Sequence, residues 1–414
     1  MIAKAITISS NLLLVNILFN GLGSDLFSIW IIITSLIAWT SFFDLGLGNG
    51  LRNSLSVALG KKLYTKASIL VSTAYFIIFI VAACACFLIV SIIPILDLNN
   101  ILSIDNKLIS PEDLNSAITI ITIGFAIRLF TGLINSIYYA IQRPSVVDYV
   151  EMTVKLLQIL IVFLLQQYSV LSIIDLSWIF GIIVFVTPGI FSLITFIKLK
   201  EIKLKTEYIK LSHAPELLQT GFKFLLVQII AISIYQSNYL LISHYLENEN
   251  IVKYNLYFNL YLLLNTATLL VIGPIWSAVT EAKSQGDEAW LKNLTQNLKK
   301  IWLGILFFGI VITIFQKTIF HIWVGEKFKV DFYFGVLFLV LAMSNIWNTL
   351  ISHYLNGLKI IKPQIAMGTI SFVLITGLGI ILINYLGLYG IILSNVISSI
   401  IANIYYSNTL KSLG

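Results

Sequence analysis

Long apolar runs separated by short polar segments fill the chain from end to end. A membrane-spanning helix needs about 20 mainly apolar residues, within a range of about 17–25. On that measure, spans fall near 5–22, 26–43, 68–95, 114–141, 146–166 and 170–198. A second set falls near 222–245, 254–280, 301–323, 332–355, 364–385 and 387–409. The pattern predicts an all-α integral membrane protein with about 12 transmembrane helices. The longest hydrophilic segment, KLKEIKLKTEYIKLSHAPELLQTGFK at 198–223, separates the two sets. It predicts an N-terminal six-helix lobe over 1–205 and a C-terminal six-helix lobe over 206–414, duplicated in the same orientation. The halves echo each other in pattern. GLRNSLSVALGKKL after the second span places Leu51, Leu55, Ala58 and Leu59 on one helical face. DEAWLKNLTQNLKKIW after the eighth does the same with Trp290, Leu291, Leu294 and Leu298. Each predicts a short helix lying in the membrane interface.

Composition sharpens this picture. Hydrophobic residues make up 58% of the chain and charged ones 11%, against about 45–50% and 25% in soluble domains. The net charge of +7 raises the question of nucleic acid. The basic residues, however, are scattered through short loops and form no patch, so nucleic-acid binding is not expected. Of the 26 lysines and arginines, Arg128 and Lys155 lie within spans. About nineteen of the others fall on the side shared with Lys4 and about five on the opposite side, a positive-inside bias that predicts both termini in the cytoplasm. Cys84 and Cys86 sit in an apolar run and point to different helix faces, so neither a disulfide nor a metal site is expected. The first apolar run lacks a small-x-small cleavage site and reads as a span rather than a signal peptide.

Searches for catalytic chemistry return nothing. HExxH, Walker, GxSxG and Cys–His ligand patterns are absent, which predicts no cofactor, no metal and no catalytic residue. GLGNG lacks the GxGxxG spacing of a nucleotide loop. Charges inside the spans carry more information. Arg128 lies about 20 Å from either end of its span at 1.5 Å per residue, so it must face protein or water rather than lipid. Asp148, Glu151 and Lys155 share one face of the fifth span, with Lys155 about 15 Å in from Ser145. The spacing predicts that Lys155 neutralises Glu151 as its i,i+4 neighbour. Arg128 is then left to an anionic partner, either a fixed acid or a phosphate that its guanidinium can hold bidentately. The plainer alternative is that these charges only glue helices together. Asn265 and Asn345, among several amides in the second half, are candidates for binding sugar hydroxyls, although amides also bond helices to one another routinely. Asp148 and Glu151 are candidates for coupling to an ion gradient.

The stretch FFDLGLGNGLRNSLSVALGKKLYTKA (42–67) resembles the signature of the polysaccharide-biosynthesis membrane proteins, the O-antigen flippases. PIWSAVTEAKSQGDEAWLKN (274–293) is similar to that family's second recurring stretch. The family belongs to the multidrug/oligosaccharidyl-lipid/polysaccharide (MOP) exporter superfamily. The resemblance implies two six-helix lobes around a central cavity and alternating-access export of undecaprenyl-diphosphate-linked oligosaccharide across the bacterial inner membrane, as in lipopolysaccharide biosynthesis. It also implies polysaccharide polymerase and chain-length machinery as partners. The residues matching the signatures include Asp44, Gly46, Gly48, Gly50 and Arg52, then Trp276 and Glu281. The acid, the glycines and Arg52 are expected to release the preceding helix and form a cytoplasmic gate, with Asp44 or Glu281 pairing basic residues. Alternatives are a cation-coupled multidrug exporter of the same superfamily, or a membrane-embedded polysaccharide polymerase or ligase. The drug exporter would favour deep acids, whereas here the deepest charges are Arg128 and Lys155. The enzyme would carry a large outer loop, whereas the longest, about 96–113, is short and acidic.

Overall fold

The computed structural model describes residues 2–39, 44–168, 171–199, 201–272, 275–326, 328–358, 360 and 362–411. Within these helices the side chains of a few residues, Trp276 and Glu281 among them, lie outside the described set. All regular structure among the described residues is helical.

The first helix, α1 (Ile2–Trp39), is broken at Gly23, whose φ of 76° and ψ of 173° are far from helical. Glycine reaches this region without a Cβ clash, so one apolar stretch becomes two helices. These are the two spans expected at 5–22 and 26–43, except that residues 40–43 lie outside the described residues. There follow α2 (Leu47–Gly60), α3 (Tyr64–Ile92), the short α4 (Leu98–Ile101), α5 (Pro111–Gly132), α6 (Ile134–Ala140), α7 (Pro144–Tyr168) and α8 (Ile173–Lys198). The second half contains α9 (Ala214–Tyr245), α10 (Asn248–Ile272), α11 (Ile275–Gln285), α12 (Glu288–Ile314) and α13 (Gln316–Val324). It closes with α14 (Phe332–Gly357), α15 (Lys362–Leu386) and α16 (Leu388–Lys411).

Helix starts follow the local chemistry. Ser110 caps α5 by accepting from the Asp113 N–H at 3.1 Å, with Pro111 in the first turn. Ser172 and Asp175 form a reciprocal capping box on α8. Asp287 caps α12 and Asp331 caps α14.

Eight stretches among the described residues are long and apolar enough to cross a membrane: α1, α3, α5 with α6, α8, α12, α14, α15 and α16. The first holds two helices because of Gly23. Helices α7, α9 and α10 have 25, 32 and 25 residues and match the remaining spans in length. Of these, α7 carries Asp148, Glu151 and Lys155. The chain is therefore a multi-pass membrane protein.

One expectation is corrected. The segment around Trp290–Leu298 is not a separate interfacial helix but the first turns of α12, which runs unbroken to Ile314. Its Leu291, Leu294 and Leu298 are buried as the periodicity requires.

The chain divides into two compact units, Met1–Ile232 and Ser233–Gly414. The division falls within α9. In the first unit, α5 packs along α8, and α7 lies against α1 and α8. The apolar stripe of α2, Leu47, Leu51, Leu55 and Ala58, is fully buried against α3, α6 and Leu217 of α9. In the second unit, α16 packs on α14 and α15, and α10 packs on α14.

Candidate functional site: a charged face in the first unit

The acid–glycine stretch opens α2. Asp44 Oδ1 accepts the Gly46 N–H at 2.7 Å, and Gly46 takes the left-handed conformation (φ 69°) as the N-cap of α2. Burial raises the Asp44 carboxyl above the usual carboxylate range, and the bond from Gly46 only partly offsets this. The glycines are needed for contact. A Cβ at Gly46 would stand 2.0 Å from the Gly221 carbonyl oxygen, and one at Gly50 would stand 2.1 Å from that of Leu217. The start of α2 thus lies backbone to backbone on α9. Gly48 is less confined, its would-be Cβ lying 3.0 Å from Ser136 Oγ. Glu281 belongs to α11 by its backbone, and its side chain lies outside the described residues.

A second tie holds the same region together. Lys66 at the start of α3 pairs with Glu216 in the first turn of α9 at 3.1 Å, and His213 Nδ1 lies 3.5 Å from the same carboxylate. Burial pushes the Glu216 carboxyl up, but the Lys66 and His213 bonds outweigh it and hold the group below its usual range. The polar segment before α9 is stitched to α3 as well. Ser68 and Thr73 hydroxyls accept the backbone N–H groups of Lys203 and Lys210, each at 3.0 Å. The sequence carried a signal for this in hydroxyl residues at the start of an apolar helix, but nothing in it pointed to their partners.

Arg52, one turn beyond Gly48, places its guanidinium 4.8 Å from the centre of the Tyr139 ring on α6. Tyr139 also lies within electrostatic reach of Asp148 and Glu151 on α7. Glu151 Oε1 in turn accepts from Arg128 Nη2 at 2.7 Å, with the two side chains 27% and 36% exposed. Lys155, one turn further along α7, feels both Glu151 and Arg128. Arg52, Asp148, Glu151, Arg128 and Lys155 are therefore brought together as one ladder of charge. It starts at α2 and runs along α7 into the apolar part of the unit.

The expected pairing is corrected here. Arg128, not Lys155, is the ion-pair partner of Glu151. The i,i+4 rule gives neighbours on one helix, but α5 presents a planar guanidinium directly to the carboxylate, and that contact is stronger than one with a flexible ammonium. The Arg128 contact uses one guanidinium nitrogen, although the group has five N–H donors.

The surrounding faces are polar. Thr131 and Asn135 follow Arg128 at i+3 and i+7 on α5 and α6, and Gln158 follows Glu151 at i+7 on α7. Thr131 Oγ1, Asn135 Oδ1 and Gln158 Oε1 are buried without a hydrogen-bond partner among the described residues. Buried acceptors are normally satisfied, so these mark a face suited to water or to a hydroxyl-bearing ligand.

The amide candidates of the second unit fall differently. Asn345 Oδ1 accepts from Ser399 Oγ at 2.8 Å, joining α14 to α16. Asn265 is half-buried on α10 and has no hydrogen-bond partner among the described residues.

No family model matches the chain. A protein named "Putative O-antigen export protein" from Yersinia pseudotuberculosis is 26% identical over 374 residues, covering 84% of this chain and 79% of the relative. Among solved structures, an inward-facing multidrug-resistance MATE-family transporter of the MOP superfamily superposes with a TM-score of 0.78. That match has 15% identity and covers 99% of this chain and 95% of the other. A MOP-superfamily transporter from Pyrococcus furiosus, described as having a binding pocket of reversed polarity, gives 0.64 at 14% identity over 100% and 94%. The resemblance read from the acid–glycine stretch therefore holds: the chain has the MOP-transporter fold, and an O-antigen export relative shares its sequence over most of its length.

Proposed function

We propose that this protein is a flippase that moves polyprenyl-diphosphate-linked oligosaccharide, an O-antigen or related repeat unit, across the bacterial inner membrane by alternating access. Both termini then lie in the cytoplasm, as the lysine distribution favours. The observation that carries this reading is the charge ladder of the first unit, whose two deepest cations, Arg128 and Lys155, face a single adjacent acid, Glu151. A site with surplus positive charge and unsatisfied buried acceptors suits a diphosphate joined to sugar hydroxyls. The O-antigen export relative supports the same substrate class.

The mechanism is a charge exchange. At rest, Arg128 is held by Glu151. An arriving diphosphate draws Arg128 into bidentate contact, and Lys155, already beside Glu151 on the same helix face, takes over the released carboxylate. The cation in surplus at rest, Lys155, is thus matched once the diphosphate is bound. Asp148 and Glu151 are the acids available for ion coupling. Where the start of α2 lies backbone to backbone on α9, the Asp44–Gly46–Gly50 contact forms the cytoplasmic gate, with Gly48 and Arg52 on the same helix and Glu281 as the gate candidate of the second unit. A multidrug exporter, the activity given for several structural neighbours, would need a surplus of deep acids to hold cationic drugs, and the ladder has the opposite balance.

The test is complementation of a strain lacking its own O-antigen flippase, scored for surface polysaccharide alongside the amount of protein in the membrane. Lys155→Gln should accumulate normally and export poorly. Arg128→Lys should keep only part of the activity, because an ammonium cannot grip phosphate bidentately. Full export by both variants would remove the phosphate site from the account.

A further inference from the structure

The second unit contains a groove that the charge ladder does not use. Helices α12, α14 and α16 enclose about 610 Å³ between them, lined almost wholly by apolar atoms. The groove is open along its length, with Leu303 and Val340 exposed at its rim. Trp302 and Trp347 form its aromatic wall, their rings 6.4 Å apart and edge to face. The Trp302 indole N–H is already donated to the Met343 carbonyl oxygen at 2.8 Å, which pins the ring and leaves its face to the groove. Asn403 turns its amide nitrogen to Ser344 Oγ at 2.6 Å, so it too offers the groove no free donor. Lys299, exposed and in no ion pair among the described residues, stands at one end. From Lys299 to Leu306 the α12 wall is about 10 Å long at 1.5 Å per residue.

We propose that this groove holds the part of the substrate's polyprenyl chain nearest its phosphates, with the Lys299 ammonium on the phosphate; the proposal rests on the lipid-linked reading above. Three features select this occupant. The charge lies at one end only, as an amphiphile with a single anionic head requires. Lys299 belongs to the lysine-rich side that the positive-inside bias assigns to the cytoplasm, where such a carrier would be loaded. The volume accommodates about twenty CH2-sized units at roughly 30 Å³ each, the space a water takes in the liquid. That is the volume of about four isoprene units. Flat indole faces and the adaptable Met343 suit the irregular outline of a methyl-branched chain.

The experiment uses the purified full-length protein in phosphatidylcholine nanodiscs. The probe is a polyprenyl monophosphate with a photoactivatable diazirine in its isoprene unit nearest the phosphate. Crosslinked peptides are then mapped by mass spectrometry. Label should concentrate on 299–306 of α12 and 339–347 of α14. Excess unlabelled polyprenyl phosphate should remove it, and phosphatidylglycerol should not. Lys299→Gln should weaken labelling about fivefold, the contribution of one lysine near an anionic headgroup. Val340→Trp, which fills the groove from its open side, should abolish it. Equal competition by phosphatidylglycerol, or labelling that survives both variants, would overturn the proposal. Label found only elsewhere on the protein would overturn the groove and leave the lipid-linked substrate standing. No label anywhere would overturn both.

Discussion

The two units solve the same problem, polar groups inside a membrane protein, in opposite ways. In the first, the deep polar groups are charged and incompletely matched: two cations lie near one acid. In the second, they are neutral amides and a matched ion pair, although the amide oxygens of Gln236, Gln316, Asn348 and Asn403 are also buried without a partner among the described residues. Asn238 and Asn395 exchange amide bonds at 3.3 and 3.0 Å, and Asn238 also donates to the Tyr254 hydroxyl at 3.0 Å. Lys253 pairs with Asp331 at 2.7 Å beneath the Tyr389 hydroxyl, which donates to the same carboxylate. Tyr257 and Phe334 complete an aromatic shell around that pair. Polar groups satisfied by protein hold helices together. Charges left short of partners are available to a ligand of opposite charge. On the proposed function, this unmatched charge is what places headgroup chemistry in the first unit.

The comparison is broken most easily at the glycine contact. Gly50→Ala puts a Cβ 2.1 Å from a carbonyl oxygen that belongs to a helix and cannot rotate away. Overpacking of this kind costs about 1–3 kcal/mol. The amount of folded protein in the membrane should therefore fall sharply, with any surviving protein impaired in export. Gly48→Ala meets only a serine hydroxyl, which can turn, and should be milder. Gly60→Ala meets nothing within 4 Å and is the control. Equal accumulation of the Gly50→Ala and Gly60→Ala proteins, measured by immunoblot of membranes, would contradict the backbone-to-backbone packing.

Asn238→Leu comes next in size. It strands the Asn395 amide and removes the Tyr254 bond, an interhelical loss of about 1 kcal/mol. Thermal unfolding in detergent should shift down by a few degrees while export by the folded fraction is retained. An export defect at normal stability would mean that the second unit's amides also meet substrate.

The smallest effect is on acid stability. Burial pushes the Asp331 carboxyl up, but bonds from Lys253, Tyr389 and the Phe334 N–H outweigh it and hold the group below its usual value. The tie therefore stabilises the fold above the unfolded value of about 3.9, and its contribution is lost as pH falls through the lower folded value. Melting curves of wild type and Asp331→Asn should differ at pH 7 and converge toward pH 3. A constant difference across that range would deny the carboxylate this role.

Much of the architecture was legible before the fold was seen. Apolar run length set nearly every membrane helix, and the stripe Leu47–Leu51–Leu55–Ala58 marked the buried face of α2. Arg128, Glu151 and Lys155 were recognisable as a cluster of interest because charge is costly inside a span. Their pairing was not legible. Periodicity fixes which residues share a face of one helix, but not how that helix is rotated toward its neighbours. The i,i+4 neighbour was therefore favoured for Glu151 over a fixed-acid pairing with Arg128, and the observed partner is that Arg128, 23 residues away on α5. The same limit hid Lys66–Glu216 and Lys253–Asp331, which join distant helices. The glycines were conspicuous, but their purpose required knowing that α9 passes over them.

The central claim is that Arg128 serves the substrate and that Glu151 only holds it between cycles. Arg128→Gln alone leaves Glu151 without its partner. The cost should fall between the about 3–5 kcal/mol of a fully buried pair and the about 1 kcal/mol of an exposed one, because Lys155 remains in reach. The decisive measurement is export by the double variant Arg128→Gln/Glu151→Gln in the flippase-null strain, normalised to membrane protein level. The account predicts that removing both charges restores protein to wild-type amounts and leaves surface polysaccharide at background. Wild-type export by the double variant would contradict it and reduce the pair to structural glue between α5 and α7.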